Sequence, residues 1–477
     1  MLEWPTTGAR VDGTGADFLS LDVRSVPRGR ITGELVRRVR EAVADGRLAP
    51  GDALPSTRVL AGDLGVSRGV VVEVYRRLAD EGLVAARTGS ATRVLAAAAP
   101  TPPGVPVEPG PPRTTGVEFD LSPGVPDVAA FPRAAWLRAE RTVLREATGT
   151  DLGYGDPRGH PRLRAELAGW LARTRGMRVG ADDVLVVAGV AQSLALLAQV
   201  LRARGVTRIG VEDPGARGAR ETLAHWGLQP EPVPVDGHGA RVDALARSGV
   251  EAVLLTPAHQ FPTGVVLAPQ RRRDLLEWAR GGNLVVEDDY DAEHRYDRAP
   301  VPALQTSAPE DVACTGSTSK TLVPGARIGW LVAPHRVRAD LLAAKHAADL
   351  GNPALPQLVL AELIAAGDLE RHVRRVRRRQ RTRRDALLAA LHRYLPAARV
   401  EGVAAGLHLL VTFPNREPGS DVEIAERAAG AGVLVHPLSW HRVRPGPPGL
   451  LLGYAASTPD ALVEAVRRIA PLVPTGP

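Results

Sequence analysis

The chain has 477 residues, enough for two or three domains that each bury a core. Its apolar fraction of 44%, charged fraction of 24% and formal net charge of +7 are compatible with a globular protein, and they permit a polyanionic partner without requiring one. A single cysteine, Cys314, excludes an internal disulfide framework. There is neither a secretory signal nor a long unbroken apolar segment, so we expect a cytoplasmic protein that spans no membrane.

Residues 30–95 carry the pattern of three short helices followed by a hairpin. Apolar residues recur at helical spacing from Arg30 until Gly46, and Ser56 or Thr57 can cap a second helix that stops at Gly65. Ser67 caps a third helix that runs from Arg68 to about Asp80. Its predicted inward residues are Val71, Val72, Tyr75 and Leu78. Two short strands are expected at residues 81–84 and 91–95, which completes the pattern of a winged helix-turn-helix.

Several motifs of this segment are specific to one kind of DNA-binding domain. They are Gly46-Arg47-Leu48-Ala49-Pro50-Gly51-Asp52, Leu54-Pro55-Ser56-Thr57-Arg58, Leu64-Gly65-Val66-Ser67-Arg68 and Glu81-Gly82-Leu83. With them, the segment resembles the DNA-binding domain of the GntR family of bacterial regulators. The resemblance implies that residues 1–95 bind double-stranded operator DNA, with Thr88 and Gly89 at a wing tip near the minor groove.

The same resemblance implies roles for residues at the starts of the second and third helices. The third helix would enter the major groove, where Arg68 can contact guanine and Ser67 can reach a phosphate. Arg58 would hold the DNA backbone and set the register. Gly69 and Val70 stand where many relatives carry small polar residues, so the operator sequence is not predictable. For any one of these arginines taken alone, a solvated helix face is the alternative.

Residues 96–118 are dense in proline, glycine and alanine and have no apolar period. This composition predicts a semi-rigid, partly polyproline linker.

Residues 119–477 alternate between strand and helix signals. Apolar strands are expected at 184–188, 208–211, 252–255, 283–286 and 328–332, with helices at 192–204, 217–226 and 270–280. Such alternation predicts a mostly parallel sheet covered by helices on both faces. Ligands of these sheets bind outside the carboxyl ends of the strands, so the candidate site residues are sought there.

Lys320 is one of only two lysines in a chain that otherwise carries its positive charge as arginine; the other is Lys345. A desolvated lysine can lose its proton and act as an amine nucleophile, which arginine cannot do. Such amines attach to carbonyl compounds, including pyridoxal phosphate (PLP). Nearby Ser317, Ser319 and Arg327 offer donors suited to a phosphate. An ordinary surface lysine in a polar loop is the alternative.

The acidic run Glu287-Asp288-Asp289-Tyr290-Asp291 directly follows an apolar strand. In extended backbone, Asp288 and Tyr290 face the same side. A carboxylate there can pair with the pyridine nitrogen of PLP, and a tyrosine hydroxyl can reach its phenolate oxygen. A metal-binding run or a solvated turn are the alternatives.

Six motifs of the second half occur together in one enzyme family. They are Tyr154-Gly155-Asp156-Pro157-Arg158-Gly159, Gly189-Val190-Ala191-Gln192, Asp213-Pro214-Gly215, Thr256-Pro257-Ala258-His259-Gln260-Phe261-Pro262-Thr263-Gly264, Glu287-Asp288-Asp289-Tyr290, and Ser317-Thr318-Ser319-Lys320 with Pro324-Gly325-Ala326-Arg327. Residues 119–477 thus resemble the fold-type I PLP-dependent aminotransferases. This resemblance implies an α/β domain with a mostly parallel sheet between helices and a smaller α+β subdomain. Joined to the winged domain, the whole chain resembles the MocR subfamily of GntR regulators.

The family resemblance also implies a role for each motif residue. Lys320 would attach PLP covalently, Asp288 would pair with its ring nitrogen, and Tyr290 would contact its phenolate oxygen. The residues implied to bind the phosphate are Ser317, Ser319, Arg327 and the backbone at Val190 and Ala191. Tyr154 would reach the cofactor of a neighbouring subunit in a homodimer, which in this subfamily is head-to-tail.

Four departures from the aminotransferase pattern bear on activity. Val190-Ala191 replaces a more polar phosphate-binding pair. Phe261 stands where the enzymes place Asn, Ala216 stands where relatives carry a stacking aromatic, and Leu450-Leu451-Leu452 lies where transaminases place an arginine for the substrate carboxylate. We therefore expect a transcriptional regulator whose aminotransferase-like domain senses PLP, or PLP with a small amine or amino-acid effector. The alternatives are an active aminotransferase carrying a DNA-binding domain, and a DNA-binding protein whose second domain only dimerises.

The basic run from Arg371 to Arg384 can contact DNA, but a solvated helix face with Val373 and Val376 inward is the favoured interpretation. Cys314 is expected to be a core residue, since no basic partner is adjacent.

Overall fold

A computed structural model describes residues 26–85, 91–95, 116–297, 301–413, 417 and 419–473. The chain divides into two compact units, Met1–Arg113 and Thr114–Pro477. The proposed linker at 96–118 lies almost wholly outside the described residues, as do Thr88 and Gly89. The domain boundaries inferred from composition therefore stay predictions.

The described residues of the first unit form three α-helices and a two-stranded antiparallel sheet. Its elements are α1 (Ile31–Ala44), α2 (Thr57–Leu64), α3 (Arg68–Asp80), β1 (Val84–Ala85) and β2 (Arg93–Val94). Ser56 caps α2, because its hydroxyl accepts a hydrogen bond from the Val59 amide at 3.3 Å. Ser67 occupies the N-cap of α3, but its side chain makes no capping hydrogen bond. Both strands are shorter than predicted, and β1 begins only at Val84 because a turn through Gly82, at φ +71°, lies between α3 and β1.

One predicted core position of α3 is wrong. Val72 is 47% exposed, whereas Val74 is buried together with Val71 and Leu78. The buried positions of a helix recur at i, i+3, i+4 and i+7, so the register 71, 74, 75 and 78 leaves position 72 outside. Because valines occupy positions 70, 71 and 72, the sequence alone does not indicate which of them faces the core. Tyr75 keeps its predicted inward position, and its hydroxyl donates to the Pro55 carbonyl at 2.8 Å, which ties α3 to the segment before α2.

The second unit contains an eight-stranded, mostly parallel sheet, which confirms the predicted fold. Its strands are β4 (Val184–Val187), β5 (Arg208–Asp213), β6 (Gln229–Asp236), β7 (Gly239–Ala240), β8 (Ala252–Leu255), β9 (Leu284–Asp288), β10 (Val312–Ser317) and β11 (Gly329–Val332). Their spatial order is β4-β11-β10-β9-β8-β5-β6-β7. The pairs from β10 through β9, β8 and β5 to β6 are parallel, whereas β11 is antiparallel to both of its neighbours.

Helices cover both faces of this sheet. They are α4 (Arg133–Glu146), α5 (Pro161–Arg175), α6 (Val190–Ala203), α7 (Arg217–His225), α8 (Val242–Ser248), α9 (Pro269–Arg280), α10 (His335–Asp349) and α11 (Ala354–Ala365). Alternate residues of a strand enter opposite cores: Val187 packs with α6 residues, and Val186 packs with α5 residues. Cys314 is buried, as predicted. No helix within the described parts of the chain is long and apolar enough to cross a membrane.

A smaller α+β subdomain completes the second unit. A four-stranded antiparallel sheet has the order β12 (Arg399–Glu401), β13 (His408–Thr412), β16 (Gly449–Gly453) and β15 (His436–Pro437). Its helices are α12 (Asp368–Tyr394), α13 (Ser420–Gly430) and α14 (Pro459–Ile469), and β14 (Val433–Leu434) pairs in parallel with β3 (Phe119–Asp120). The arginine-rich run lies on α12, with Val376 buried and Val373 partly buried, as predicted.

Candidate cofactor site and DNA-binding face

One cavity at the carboxyl ends of β9 and β10 brings the predicted cofactor residues together. It has a volume of about 590 Å³. The predicted residues that line it are Val190, Ala191, Asp288, Tyr290, Ser317, Ser319, Lys320 and Arg327. Tyr154 does not line the cavity, and its side chain is 88% exposed. A site outside the carboxyl ends of parallel strands is the usual place for a ligand in this kind of sheet.

Lys320 extends into this cavity three residues after the end of β10. Its ammonium donates a hydrogen bond to the Gly124 carbonyl at 2.5 Å. Burial lowers the pKa of Lys320 below its usual value, while the carboxylates of Asp291 and Asp288 oppose that change. A lowered pKa increases the fraction of neutral amine, which is the nucleophilic form.

Asp288 is the last residue of β9 and offers a buried acceptor to the cavity. Its Oδ1 has no hydrogen-bond partner among the described residues. Burial raises the pKa of Asp288 to about 7, with the charges of Asp289 and Asp291 adding to the rise and Lys320 opposing it. A buried carboxylate of this kind fits a cationic N–H donor, and the protonated pyridine nitrogen of PLP is such a donor.

The other carboxylates of the acidic run have different partners. Asp289 Oδ2 accepts from Arg175 Nε at 2.5 Å in a buried ion pair. Asp291 Oδ2 lies 2.8 Å from His259 Nδ1. No group of three or more potential metal ligands occurs in the described residues, and this run divides its carboxylates among separate partners. The geometry therefore favours the cofactor interpretation of Asp288 over a metal-binding run.

Tyr290 belongs to a buried chain of polar groups that sequence reasoning did not assign. Its hydroxyl lies 3.0 Å from His259 Nδ1, the atom that also faces Asp291. Burial raises the pKa of Tyr290 well above its usual value, and the charge of Asp291 adds to this. Burial disfavours the charged form of Asp291, yet His259 and further histidines hold the pKa of its carboxyl below the usual value. The Tyr290 hydroxyl thus stays protonated and can donate to a phenolate oxygen.

The predicted phosphate-binding residues meet at the N-terminus of α6. Helix α6 begins at Val190, two residues earlier than predicted, after Gly189 at φ +114°. A Cβ on Gly189 would lie 3.4 Å from both terminal nitrogens of Arg327, so glycine keeps this approach open. Free backbone amides at a helix start and a neighbouring guanidinium together favour an anion.

One wall of the cavity is aromatic and imidazole-rich. Phe261 and Ala216 line the cavity, as do His436 and His441. The Phe261 ring lies 5.2 Å from that of His441. Burial lowers the pKa of His441 to about 3, with the charge of His436 contributing, so this ring is neutral at physiological pH.

No arginine occupies the predicted carboxylate-binding position. Leu450, Leu451 and Leu452 are buried within β16. Arg442 and Arg444, two arginines that shortly precede β16 in the sequence, do not line the cavity. Arg217 does line it, although its Nε is paired with the Glu221 carboxylate at 2.6 Å. The sequence signal that could have identified Arg217 is its position directly after Ala216, the position where relatives carry the stacking aromatic.

The predicted DNA-contacting residues of the first unit share one exposed region. Arg58, Ser67, Arg68 and Gly69 are all exposed at the starts of α2 and α3. Arg68 Nε donates to Thr57 Oγ1 at 3.3 Å, which links the two helix starts. Within the described residues the terminal guanidinium nitrogens of Arg68 have no hydrogen-bond acceptor, which leaves them for the predicted contact with guanine.

Comparison with known families supports both halves of this description. Residues 31–94 match the bacterial regulatory proteins of the gntR family, and residues 118–469 match aminotransferase class I and II. The chain is 34% identical to the HTH-type pyridoxine biosynthesis transcriptional regulator PdxR of Corynebacterium glutamicum, over 93% of this chain and 96% of that protein. It is 31% identical to the probable rhizopine catabolism regulatory protein MocR of Rhizobium meliloti, over 91% and 92% of the two chains.

Solved structures give the same result for the second unit. The multiple substrate aminotransferase of Thermococcus profundus matches with a TM-score of 0.69 and 28% identity, over 76% of this chain and 92% of that one. The kynurenine aminotransferase of Pyrococcus horikoshii matches with a TM-score of 0.69 and 27% identity, over 75% and 91%. Family and fold together imply PLP as the cofactor, and the cavity residues fit it. The chain therefore belongs to the MocR-type helix-turn-helix transcriptional regulators of the GntR family, in which a DNA-binding domain is joined to an aminotransferase class I and II domain.

Proposed function

We propose that this regulator binds operator DNA in a manner controlled by PLP. The observation that carries the proposal is the cavity itself, because a partly buried lysine with a lowered pKa and a buried carboxylate oxygen that has no partner among the described residues line the same space. Both features are expected of a site that binds an aldehyde through an amine and a cationic ring nitrogen through a carboxylate. An aminotransferase-like domain that served only for dimerisation would need neither.

Each cavity residue has a defined task in this proposal. Lys320 Nζ supplies the amine that attaches the cofactor, and the Asp288 carboxylate holds the proton on the ring nitrogen. The Tyr290 hydroxyl, oriented by His259, donates to the phenolate oxygen. The proposed phosphate ligands are Ser317, Ser319, Arg327 and the backbone amides of Val190 and Ala191. When bound, PLP supplies an aldehyde that amines can exchange on, backed by an electron-withdrawing ring.

Asp288→Asn should weaken PLP binding and alter its absorption spectrum. The substitution removes a charge-assisted hydrogen bond worth about 1.5–3 kcal/mol, so the dissociation constant should rise roughly 10- to 150-fold. Spectroscopic titration of both proteins with PLP measures this change.

Asp289→Asn is the matched control, because it makes the same chemical change one residue later. It should alter PLP affinity little and instead lower the free energy of unfolding by about 3–5 kcal/mol, since it leaves the buried guanidinium of Arg175 unpaired. Denaturant unfolding measures that loss. If Asp289→Asn weakened PLP binding more than Asp288→Asn, the proposed facing of β9 would be wrong.

Operator recognition is assigned to the starts of α2 and α3. We infer that Arg68 contacts a guanine edge, with Ser67 and Gly69 beside it, and that Arg58 contacts the DNA backbone. Thr88 and Gly89 keep their proposed place at the wing tip.

Arg68→Ala should reduce the affinity for operator DNA by about 1–3 kcal/mol, the value of one bidentate base contact. PLP affinity should not change. Fluorescence anisotropy with operator and scrambled duplexes separates specific from general binding. Equal losses on both duplexes would make Arg68 a backbone contact instead of a base contact.

The assembly that we propose is a head-to-tail homodimer. The exposed ring of Tyr154 suits a residue that reaches the cofactor of the partner subunit. A small amine or amino acid is the proposed additional effector, held at the cavity wall beside Phe261 and His441. PLP, with or without this effector, would favour one arrangement of the two winged domains over another, which requires different affinities for the two states.

Selection of binding sites from a random duplex pool tests the proposal. The full chain should enrich a sequence with two half-sites, since a dimer presents two winged domains. Enrichment should differ between selections with and without PLP. No enriched sequence under either condition would contradict the assignment of operator binding, whatever the outcome for PLP.

A further inference from the structure

A second concave site lies in the aminotransferase-like unit, apart from the cofactor cavity. It is a groove of about 270 Å³. The residues that line this groove are Arg295, Tyr296, Arg374, Arg377, Arg378 and Arg381. Five of the six are arginines, and no carboxylate of the described residues is among them. The two sites share no lining residue.

The floor of this arginine groove is fixed by the fold. Arg295 forms a backbone β-bridge with Ala405. The Tyr296 hydroxyl donates to the Gly406 carbonyl at 2.6 Å. The guanidinium of Arg377 donates to the carbonyl of Arg295 and so joins α12 to this segment. The arginines are thus brought together by tertiary contacts as well as by their spacing in the sequence.

Arg295 is a buried cation with an unused donor. The residue is only 3% exposed. Its Nε and one terminal nitrogen donate to Asp297 at 2.5 and 3.0 Å. The other terminal nitrogen, Nη1, is buried and has no hydrogen-bond partner among the described residues. A buried guanidinium nitrogen without an acceptor is costly, and an anion that reached this nitrogen would lower that cost.

The wall of the groove also carries positive charges that have no acidic partners in the described residues. Arg374, Arg378 and Arg381 are exposed and follow the spacing i, i+4 and i+7, which aligns them on one side of α12. Among the described residues, the acceptor of their neighbour Arg377 is a carbonyl oxygen and not a carboxylate. None of these four side chains has a salt-bridge partner in the described parts of the chain, whereas Arg371, Arg379 and Arg383 of the same helix do. Like charges at this spacing repel one another, and a bound anion would relieve that repulsion.

We propose that the arginine groove binds a compact polyphosphorylated anion. Planar guanidinium groups match phosphate oxygens in pairs, which favours phosphate over a simple monovalent anion. The volume is just below the range of pockets for drug-sized ligands, which favours a short chain of phosphate groups. A DNA duplex needs a far more extended surface than this concave site offers.

Calorimetric titration of the PLP-loaded full chain with inorganic tripolyphosphate, at about 0.15 M salt to suppress weak surface binding, tests the proposal. PLP loading occupies the other phosphate site. The wild-type protein should bind one tripolyphosphate per chain with a submillimolar dissociation constant. The double variant Arg374→Gln/Arg378→Gln should weaken binding at least roughly tenfold, because two charged contacts are lost.

The matched control is Arg141→Gln/Arg145→Gln on α4, which removes two exposed arginines at the same spacing. It should bind tripolyphosphate like the wild type. Equal weakening in both double variants would show general attraction to a basic surface and overturn the proposal. The proposal would also be overturned if the wild type failed to bind tripolyphosphate and the groove variant lost affinity for nonspecific duplex DNA. None of these outcomes depends on whether PLP controls operator binding.

Discussion

Replacing Lys320 by alanine should abolish covalent attachment of PLP. The wild-type protein mixed with PLP should develop an absorption band in the visible range that borohydride reduction fixes to the chain. Lys320→Ala should show neither the band nor the added mass, because no other amine lines the cavity in the described residues. Absorption spectra and peptide mass mapping after reduction measure both.

Lys345 provides the control, since it is the only other lysine of the chain. Its ammonium is buried and donates to Asp349 at 2.8 Å and to Asn352 at 2.8 Å, so it is fully engaged away from the cavity. Lys345→Arg keeps this charge and should retain the visible band. If the reduced cofactor mapped to Lys345, or if the visible band persisted in Lys320→Ala, Lys320 would not be the residue that attaches PLP.

The protein should be a poor transaminase. Turnover requires a substrate held by its carboxylate, and Leu450-Leu451-Leu452 provides no cation where the enzymes place one. The loss of a charge-assisted contact costs about 1.5–3 kcal/mol, which corresponds to roughly 10- to 150-fold in rate. Ala216 and Phe261 add to the deficit, because neither reproduces the stacking or polar contact of the enzyme residue. Single-turnover conversion of bound PLP to its amine form, with a panel of amino acids and amines, measures the residual activity.

Arg217 is the candidate for binding a substrate carboxylate if the protein proves to be an active transaminase. It is an exposed arginine at the cavity, and its partner Glu221 is also exposed, so the ion pair contributes little and can open. Rapid multiple turnover with an ordinary α-amino acid and a keto acid would contradict the interpretation of this domain as a PLP sensor with little transaminase activity. Loss of that turnover in Arg217→Gln, but not in Arg444→Gln, would then locate the carboxylate anchor.

Local patterns in the sequence predicted many of the elements and placed the candidate cofactor residues at strand ends. Lys320 was recognisable because lysine is rare in this chain, and Asp288 because it follows an apolar strand whose alternation sets its facing. Strand ends of a parallel sheet converge at one edge, so the predicted residues from distant segments could be expected in one cavity. The error at Val72 arose where three adjacent valines gave no helical phase.

Other features depend on tertiary contacts that no local pattern specifies. His259 was visible only as part of a motif, and its place between Tyr290 and Asp291 follows from the packing of β8 beside β9. Arg295 and Arg377 are 82 residues apart, and only the fold brings them to one groove. The choice among Arg217, Arg442 and Arg444 likewise required the position of each chain segment around the cavity.

The most direct test of PLP control is the affinity for the selected operator with and without saturating PLP. Wild-type protein should show at least a several-fold difference, since PLP must favour one state of the dimer in order to regulate it. Lys320→Ala should give one affinity under both conditions while still binding the operator specifically. Identical operator affinities of the wild-type protein with and without PLP, in a sample whose visible band shows full occupancy, would contradict the account.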